Sequence, residues 1–414
     1  MKTPITLLLL GAVLALRPAT AAPQGTAGPL VGNVTPTTAT LWIFAPEGAK
    51  CSVRANPDGA AADEKNAAEG TFTPVAQPAG KAHGKPAKVT LTGLLPDTAY
   101  RYTVGIDGKS DPALHGAFRT QPAPGTSNKF RMVLTSCMKF DQPQGSWKHV
   151  LAEKPQLHLT VGDTHYADTT NPTTQWEHHL RYRRMPEFAA VLRNIPTYSM
   201  WDDHDYGPND SDRTAKGKEN SLAGWNQFWG NPAAGTATTP GAFYKFSWGE
   251  VDFFMVDGRY HRSPDKAPDD DKKRMLGDAQ FAWMIAGLKS SKAKFKVIAS
   301  GSTLNHSKAD GWRIYTFARH RFFDAIKEHR IPGVVYMSGD IHRSLVWEHH
   351  ESKRVGYPVV EVISSGVANS KTLSFATIDF DTTAEDPTMR VRVILGDRRV
   401  ETDRTWKLSQ LTHK

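Results

Sequence analysis

Four short stretches of this chain carry residue types that bind cations or move protons. They are Ser136-Cys137, Gly162-Asp163-Thr164-His165-Tyr166, Trp201-Asp202-Asp203-His204-Asp205 and Gly339-Asp340-Ile341-His342. The third lies in the most crowded segment: between Pro196 and Asp210, PTYSMWDDHDYGPND holds Asp202, Asp203, Asp205, Asp210 and a histidine. Carboxylates this close repel one another, and each resists leaving water unless something pairs with it. A bound cation answers that problem; a solvated acidic loop avoids it.

Each residue has an ordinary reading. Cys137 fits a small buried hydrophobe, Asp163 a helix cap, and Tyr166 plain packing. Asp202 to Asp205 fit a solvated turn, and His342 a satisfied hydrogen-bond network. Taken jointly, these readings leave unexplained why Asp, His, Tyr and Cys recur where apolar runs end. Hard oxygen donors with histidine and a tyrosinate or thiolate suit a trivalent iron beside a divalent ion. Two adjacent cations need a bridging carboxylate, and Asp163 is the natural one. Such a pair binds a phosphoryl group, lowers the pKa of water and clamps an in-line displacement. His204, next to the proposed ligand Asp203, is placed to protonate a leaving alkoxide.

The elements that must carry these residues read as strands alternating with helices. FRMVLTS, LHLTVGD, KFKVIASGS and GVVYMSGD are apolar strands ending in polar residues. Helices are expected over Gln175–Arg193, Leu276–Ser290 and Ala318–Arg330. Four further strands, LVWEHH, VVEVISS, LSFATIDFD and MRVRVIL, follow between Leu345 and Leu395. The pattern predicts an α/β sandwich of two mixed sheets, with ligands collecting beyond the carboxyl ends of strands. Upstream, residues 28–120 read as all-β. Thr98, Tyr100, Tyr102 and Val104 alternate toward one face, and Leu-Pro-Asp-Thr-x-Tyr-x-Tyr has the pattern of a tyrosine corner. This stretch resembles a fibronectin type III domain, whose usual role is that of a spacer or docking module. Gln121–Lys129 is a Pro/Gly/Ser-rich linker, and residues 130–414 form the second domain.

The chain has 414 residues and a formal net charge of +9, with 39% hydrophobic residues. That composition predicts a largely globular chain with room for about two or three domains. The basic residues are scattered, so specific nucleic-acid binding is not expected, while small anionic esters are. Residues 1–21 have the charged start, apolar core and small-residue cleavage site of a secretory signal. Export to the periplasm or beyond is therefore expected, with no membrane anchor after cleavage. In that compartment a Cys51–Cys137 disulfide is the default expectation.

The four stretches together resemble the alkaline phosphatase D (PhoD-like) phosphatases. The likeness extends through NDSDR at Asn209–Arg213, FSWGEVDFFMVDGRYHRSP at Phe246–Pro264 and LGDAQFAWMIAGLKSS at Leu276–Ser291. It covers nearly all of residues 130–370. The resemblance implies a metallophosphoesterase fold carrying Fe(III) and Ca²⁺ and hydrolysing phosphate mono- and diesters at alkaline pH. It implies that Cys137, Asp163, Tyr166 and His342 hold iron. Asp163, Asp203 and Asp340 would hold the second cation, with Asn209 a weaker candidate, and His204 would contact the scissile phosphate. A ligand role for Cys137 replaces the disulfide. Arg259, Arg343 and His165 are candidates for the substrate side, and a buried ion pair is the favoured alternative for Arg259. Trp176, Trp225 and Trp229 are expected in the core rather than in a pocket. One departure concerns the second metal. In many metallophosphoesterases a histidine follows the strand corresponding to KFKVIAS; here the sequence is GSTLNH, leaving Ser302, Thr303, Asn305 or His306 to substitute.

Two rivals frame the expectation of a monomeric phosphoric ester hydrolase. A purple-acid-type phosphatase needs a Gly-Asn-His run and a final Gly-His-x-His, where this chain has Asp-Asp-His and Gly-Asp-Ile-His. A non-catalytic Ca²⁺-binding surface module would bind metal and hydrolyse nothing.

Overall fold

The computed structural model describes residues 25–59, 67–75, 84–304 and 310–414. The signal segment read at residues 1–21, and Asn305 and His306, lie outside the described residues. The N-terminal region is all-β. It comprises β1 (Ala27–Val34), β2 (Ala39–Pro46), β3 (Cys51–Pro57), β4 (Ala68–Thr71), β5 (Thr73–Pro74), β6 (Gly84–Leu91), β7 (Ala99–Ile106), β8 (Lys109–Ser110) and β9 (Gly116–Arg119). They form two antiparallel sheets, β1-β2-β6-β5 and β4-β3-β7-β8, with β9 on β7. Period-two alternation along β7 buries Tyr100, Tyr102 and Val104 in the core these sheets share. The Tyr100 hydroxyl accepts the Leu95 amide at 2.9 Å, closing the corner that the sequence predicts.

The larger region opens with β10 (Lys129–Thr135), helix α1 (Ser146–Ala152) and β11 (Leu157–Val161). Next come α2 (Pro172–Arg183), α3 (Pro186–Asn194), β12 (Thr197–Met200), α4 (Asp203–Tyr206) and α5 (Lys218–Phe228). A hairpin, β13 (Tyr244–Trp248) and β14 (Val251–Met255), leads to α6 (Asp278–Ser290), β15 (Phe295–Ala299) and α7 (Thr316–Glu328). The chain then forms β16 (Val334–Ser338), β17 (Ser344–Glu348), β18 (Val360–Ser364), β19 (Ser374–Asp381), β20 (Thr388–Leu395) and β21 (Val400–Lys407).

Two six-stranded mixed sheets result, ordered β12-β11-β10-β19-β20-β21 and β13-β14-β15-β16-β18-β17. β10, β11 and β12 run parallel in the first, and β14, β15, β16 and β18 in the second. The sheets pack face to face through aromatic residues. Tyr198 stacks on Phe246 with ring centroids 3.8 Å apart, and Phe295 meets Phe380 at 5.3 Å. β11, β14, β15, β16 and β18 are buried along their whole length, which is why they read as continuous apolar runs rather than alternating ones.

One helix expectation needs correcting. The single helix expected over Gln175–Arg193 is two, α2 and α3, broken at Met185, which is extended (φ −70°, ψ 120°). Pro186 disfavours helical geometry in the residue before it and has no amide to continue the ladder. The β13–β14 hairpin and β21 are strands the sequence reading did not assign.

The two regions share one interface. Tyr198 donates its hydroxyl to the Val34 carbonyl at 2.9 Å and accepts the Val34 amide at 3.0 Å. Trp42 donates its indole N–H to the Gln227 carbonyl at 2.9 Å, and Tyr102 donates to the Arg193 carbonyl at 2.8 Å. Ala27, Leu30, Trp42 and Phe44 of the N-terminal sheet belong to the same apolar core as the larger region.

Candidate metal centre

The parallel strands aim their carboxyl ends at one place. Cys137 follows β10, Asp163 and Tyr166 follow β11, Asp203 and His204 follow β12, and Asp340 and His342 follow β16. Four of these residues, Cys137, Asp163, Asp340 and His342, have left-handed backbone (φ +57°, +53°, +76° and +57°). Each such non-glycine conformation costs about 1–3 kcal/mol and persists where its surroundings hold it, typically at ligand-binding positions. Gly162 (φ +89°) makes the approach of two strand ends possible: a Cβ there would fall 2.4 Å from the Asp202 Cβ. Gly339 does the same between the sheets, where a Cβ would lie 2.3 Å from the Ser136 Oγ.

Asp163 is the hub. It is 1% exposed; its Oδ2 accepts the Cys137 thiol at 3.1 Å and the Tyr166 hydroxyl at 3.3 Å. Its Oδ1 has no hydrogen-bond partner among the described residues. Burial, then Asp203, Asp202, Asp205 and Asp340, push its pKa far above the carboxylate range. Burial and Asp163 likewise raise Cys137 and Tyr166. A buried carboxyl among like charges, with an unpaired oxygen, is what a cation satisfies, so the residues present fit a metal.

Ligand atoms come within 4.8 Å of one another in three overlapping groups at this hub: Cys137, Asp163 and His342; Asp163, Asp203 and His204; and Asp202, Asp203 and Asp340. A further group joins Asp203 to Asp210 and Asp310. Asp203 also caps its own loop: Oδ1 accepts the His204 amide at 3.0 Å and Oδ2 the Asp210 amide at 2.9 Å. Cys51 and Cys137 are both buried free thiols, so the default disulfide is absent.

His204 is held from two sides. Its Nδ1 is 2.5 Å from the Asp168 Oδ1, and its ring lies 4.2 Å from that of Tyr166. Behind it, Asp205 ties two of the strand ends together. Its Oδ1 accepts the Thr164 amide (2.9 Å), the Thr164 hydroxyl (2.6 Å) and the His165 amide (3.1 Å), while Oδ2 accepts the Asp202 amide at 3.0 Å. Burial pushes Asp202 and Asp205 up to about 6.

Two substrate-side candidates sit elsewhere. Arg259 is fully buried: its Nε donates to Asp202 at 2.5 Å and its Nη2 to Asp310 at 2.9 Å, with Asp203 3.9 Å away. It counters the carboxylates from inside instead of facing an ester, as the ion-pair alternative had it. His165 is 1% exposed and meets His179, with Nε2 atoms 3.3 Å apart, so its ring points into the protein. Arg343, beside His342, is exposed, and so is Asn209, next to the clustered Asp210. Trp176, Trp225 and Trp229 are core residues.

The sequence reading missed Asp168, Asp210, Asp310, Ser365 and Asn369. The Asn369 amide donates to the Tyr166 hydroxyl at 2.8 Å and to the His342 Nε2 at 3.0 Å. The Ser365 hydroxyl accepts the His342 amide at 2.8 Å and lies 3.0 Å from the Cys137 Sγ. Both follow β18, a buried parallel strand like the other four; that position was the available signal.

Residues 132–392 match the PhoD-like phosphatase family, and residues 23–120 match a domain of unknown function (DUF7800). Alkaline phosphatase D of Bacillus subtilis (strain 168) is 24% identical over 310 residues, which take in 62% of this chain and 53% of that protein. The chain thus spans about half the length of the curated relative it matches. A solved structure of PhoD superposes with a TM-score of 0.71 at 18% identity, over 94% of this chain and 92% of that one. Purple acid phosphatase PPD1 from yellow lupin (Lupinus luteus) seeds gives 0.67 at 13% identity, over 92% and 74%. At these identities the structural likeness speaks for the fold. Because the family match takes in more than half of its residues, and coincides with the region that builds the carboxylate, thiol and imidazole cluster, the chain belongs to the PhoD-like phosphatase family.

Proposed function

We propose that this chain is an exported, metal-dependent phosphatase that hydrolyses phosphate monoesters, diesters or both at alkaline pH. The observation that carries the reading is the buried Asp163 with its unpaired oxygen, ringed by Cys137, Tyr166, Asp203, His204, Asp340 and His342. Cys137, Asp163, Tyr166 and His342 would hold one cation, Fe(III) by the family resemblance. Asp163, Asp203 and Asp340, with Asn209 a weaker candidate, would hold the second, Ca²⁺ by the same resemblance. Bound there, the metals supply Lewis acidity toward a phosphoryl oxygen and toward water.

The chain's own residues do the rest. His204 gives a proton to the leaving oxygen, and Asp168 orients its ring from Nδ1. Arg259 stays inside and holds Asp202 in place, while Arg343, exposed and next to His342 in sequence, would meet a phosphate oxygen. The N-terminal sandwich, with its tyrosine corner, is read as fibronectin III-like.

The test is His204→Ala in protein purified without chelator. We expect kcat on p-nitrophenyl phosphate or its bis-ester to fall by about 10²–10⁴-fold, with iron and calcium content unchanged. Metal lost along with activity would make His204 a ligand instead of the proton donor. A metal-loaded native chain inert on both esters from neutral to alkaline pH would leave the Ca²⁺-binding surface module as the reading.

A further inference from the structure

The ring of His165 turns away from the cluster, although its neighbours Asp163 and Tyr166 form it. It meets His179 of α2 nearly at right angles, with ring centroids 4.2 Å apart. One turn further along α2, the Arg183 Nη1 donates to the His179 Nδ1 at 3.2 Å and to the His179 carbonyl at 3.1 Å. Its Nη2 donates to the Phe228 carbonyl at 2.7 Å. Arg183 is 2% exposed, and its guanidinium lies over three rings: Trp229 at 4.3 Å, Trp42 at 5.1 Å and Phe228 at 5.3 Å. Trp42 belongs to β2 of the N-terminal sandwich. A continuous line therefore runs from that sandwich to the Asp163–Tyr166 loop.

The Arg183 contact sets the proton placement along this line. A guanidinium only donates, so the His179 Nδ1 must accept. A ring nitrogen that accepts a hydrogen bond carries no proton, so His179 is neutral. The one proton of His179 is then on Nε2 and is donated to the His165 Nε2, 3.3 Å away. His165 in turn carries its proton on Nδ1. One buried cation thus sets the tautomer and orientation of two rings. A buried arginine is costly, and no carboxylate among the described residues is within ion-pairing distance of Arg183. Apolar side chains would fill the space more cheaply, but they would not orient His165.

We propose that Arg183 and His179 are positioning residues that lock the Asp163–Tyr166 loop, through His165, to the N-terminal sandwich, which makes the sandwich a working part of the metal centre. The proposal rests on the reading that this loop holds metal.

The test compares the native chain with His179→Phe and His179→Gln, all purified without chelator. Phenylalanine keeps the ring that stacks on Phe228 (centroids 4.6 Å apart, planes 10° apart) and removes both nitrogens. Glutamine restores an acceptor for Arg183 and a donor for His165. Release of bound iron and calcium to a chelator is timed, and melting is recorded on metal-free protein. His179→Phe should release metal about 10-fold or more faster, with metal-free melting near native, and His179→Gln should stay within about 3-fold of native. A purely structural His179 would show the opposite: lowered melting and native release. If His179→Phe fails to fold, Arg183→Lys gives the same readout, since a point charge replaces the planar fork. Native release rates in the folded variants overturn the coupling alone; a native chain that carries no metal overturns the metal-centre reading and the coupling with it.

Discussion

The two sides of Asp163 meet the same problem with different chemistry. On one side stand Cys137, Tyr166 and His342, backed by Ser365 and Asn369, and burial keeps the thiol and the phenol protonated. On the other side stand Asp202, Asp203, Asp310 and Asp340, and there a permanent cation, Arg259, is built into the fold. The mixed side tolerates burial because its thiol and phenol stay protonated. The carboxylate side tolerates it because a guanidinium offsets part of the charge. The difference teaches that a metal bound on the mixed side would have to release protons from the thiol and the phenol.

Breaking the hub should have the largest effect. Asp163→Asn removes the group both sides share, and kcat/KM on p-nitrophenyl phosphate should fall by at least about 10³-fold. Iron and calcium should both drop in emission spectrometry; retention of both at native levels would show that the sides are independent. Next, Arg259→Met strips the carboxylate side of its internal cation. Metal-free protein should lose about 3–5 kcal/mol in urea unfolding, the cost of leaving buried charges unpaired, and added Ca²⁺ should recover part of it. An equal loss with and without Ca²⁺ would mean that the ion does not share the work of Arg259.

Asp168→Asn is a milder probe, because it loosens the orientation of His204 without touching the hub. A drop in kcat of about 10–100-fold with native metal content is expected, and an unchanged kcat would remove Asp168 from the mechanism.

The smallest effect is on pH dependence. Asp202 and Asp205 are pushed up to about 6, so between the ordinary carboxylate value and about 6 the native state binds protons that the unfolded chain has lost. Their contribution is present at low pH and is lost as pH rises through about 6. His158, buried between Thr135 and Thr197, is pushed down to about 3, so its contribution is present above the ordinary histidine value and is lost as pH falls toward 3. The two oppose each other between about pH 4 and 6. In metal-free protein, Asp205→Asn should make stability rise more steeply with pH over that window, and His158→Gln less steeply. Each change is about 1.4 kcal/mol per pH unit at most. Parallel curves for all three proteins would contradict the assignment.

Much of the site could be read from residue types at strand ends. An apolar run that stops at Cys137, Asp163, Asp203 or Asp340 advertises itself, because a fully buried parallel strand leaves its polar residues at its tip. Asn369 and Ser365 sit at the same kind of tip, yet asparagine and serine end so many strands that their types carry little signal. Asp168 and Asp310 lie in loops, and nothing local points them at His204 or Arg259. The helix break at Pro186 was also written in the chain, in the one residue type that cannot continue a helix.

Residue chemistry and periodicity were thus enough to assign the layers, the strand tips and the donor types, since these follow from local rules about burial and hydrogen bonding. Folding alone settled which donors face inward. Arg259 and His165 have the residue types of phosphate-binding groups, and both are enclosed: Arg259 by Asp202 and Asp310, His165 by His179. Only distances between segments far apart in sequence make that distinction. A charge at a strand tip is satisfied by whatever partner the packing brings within about 3 Å, and that partner can lie a hundred residues away.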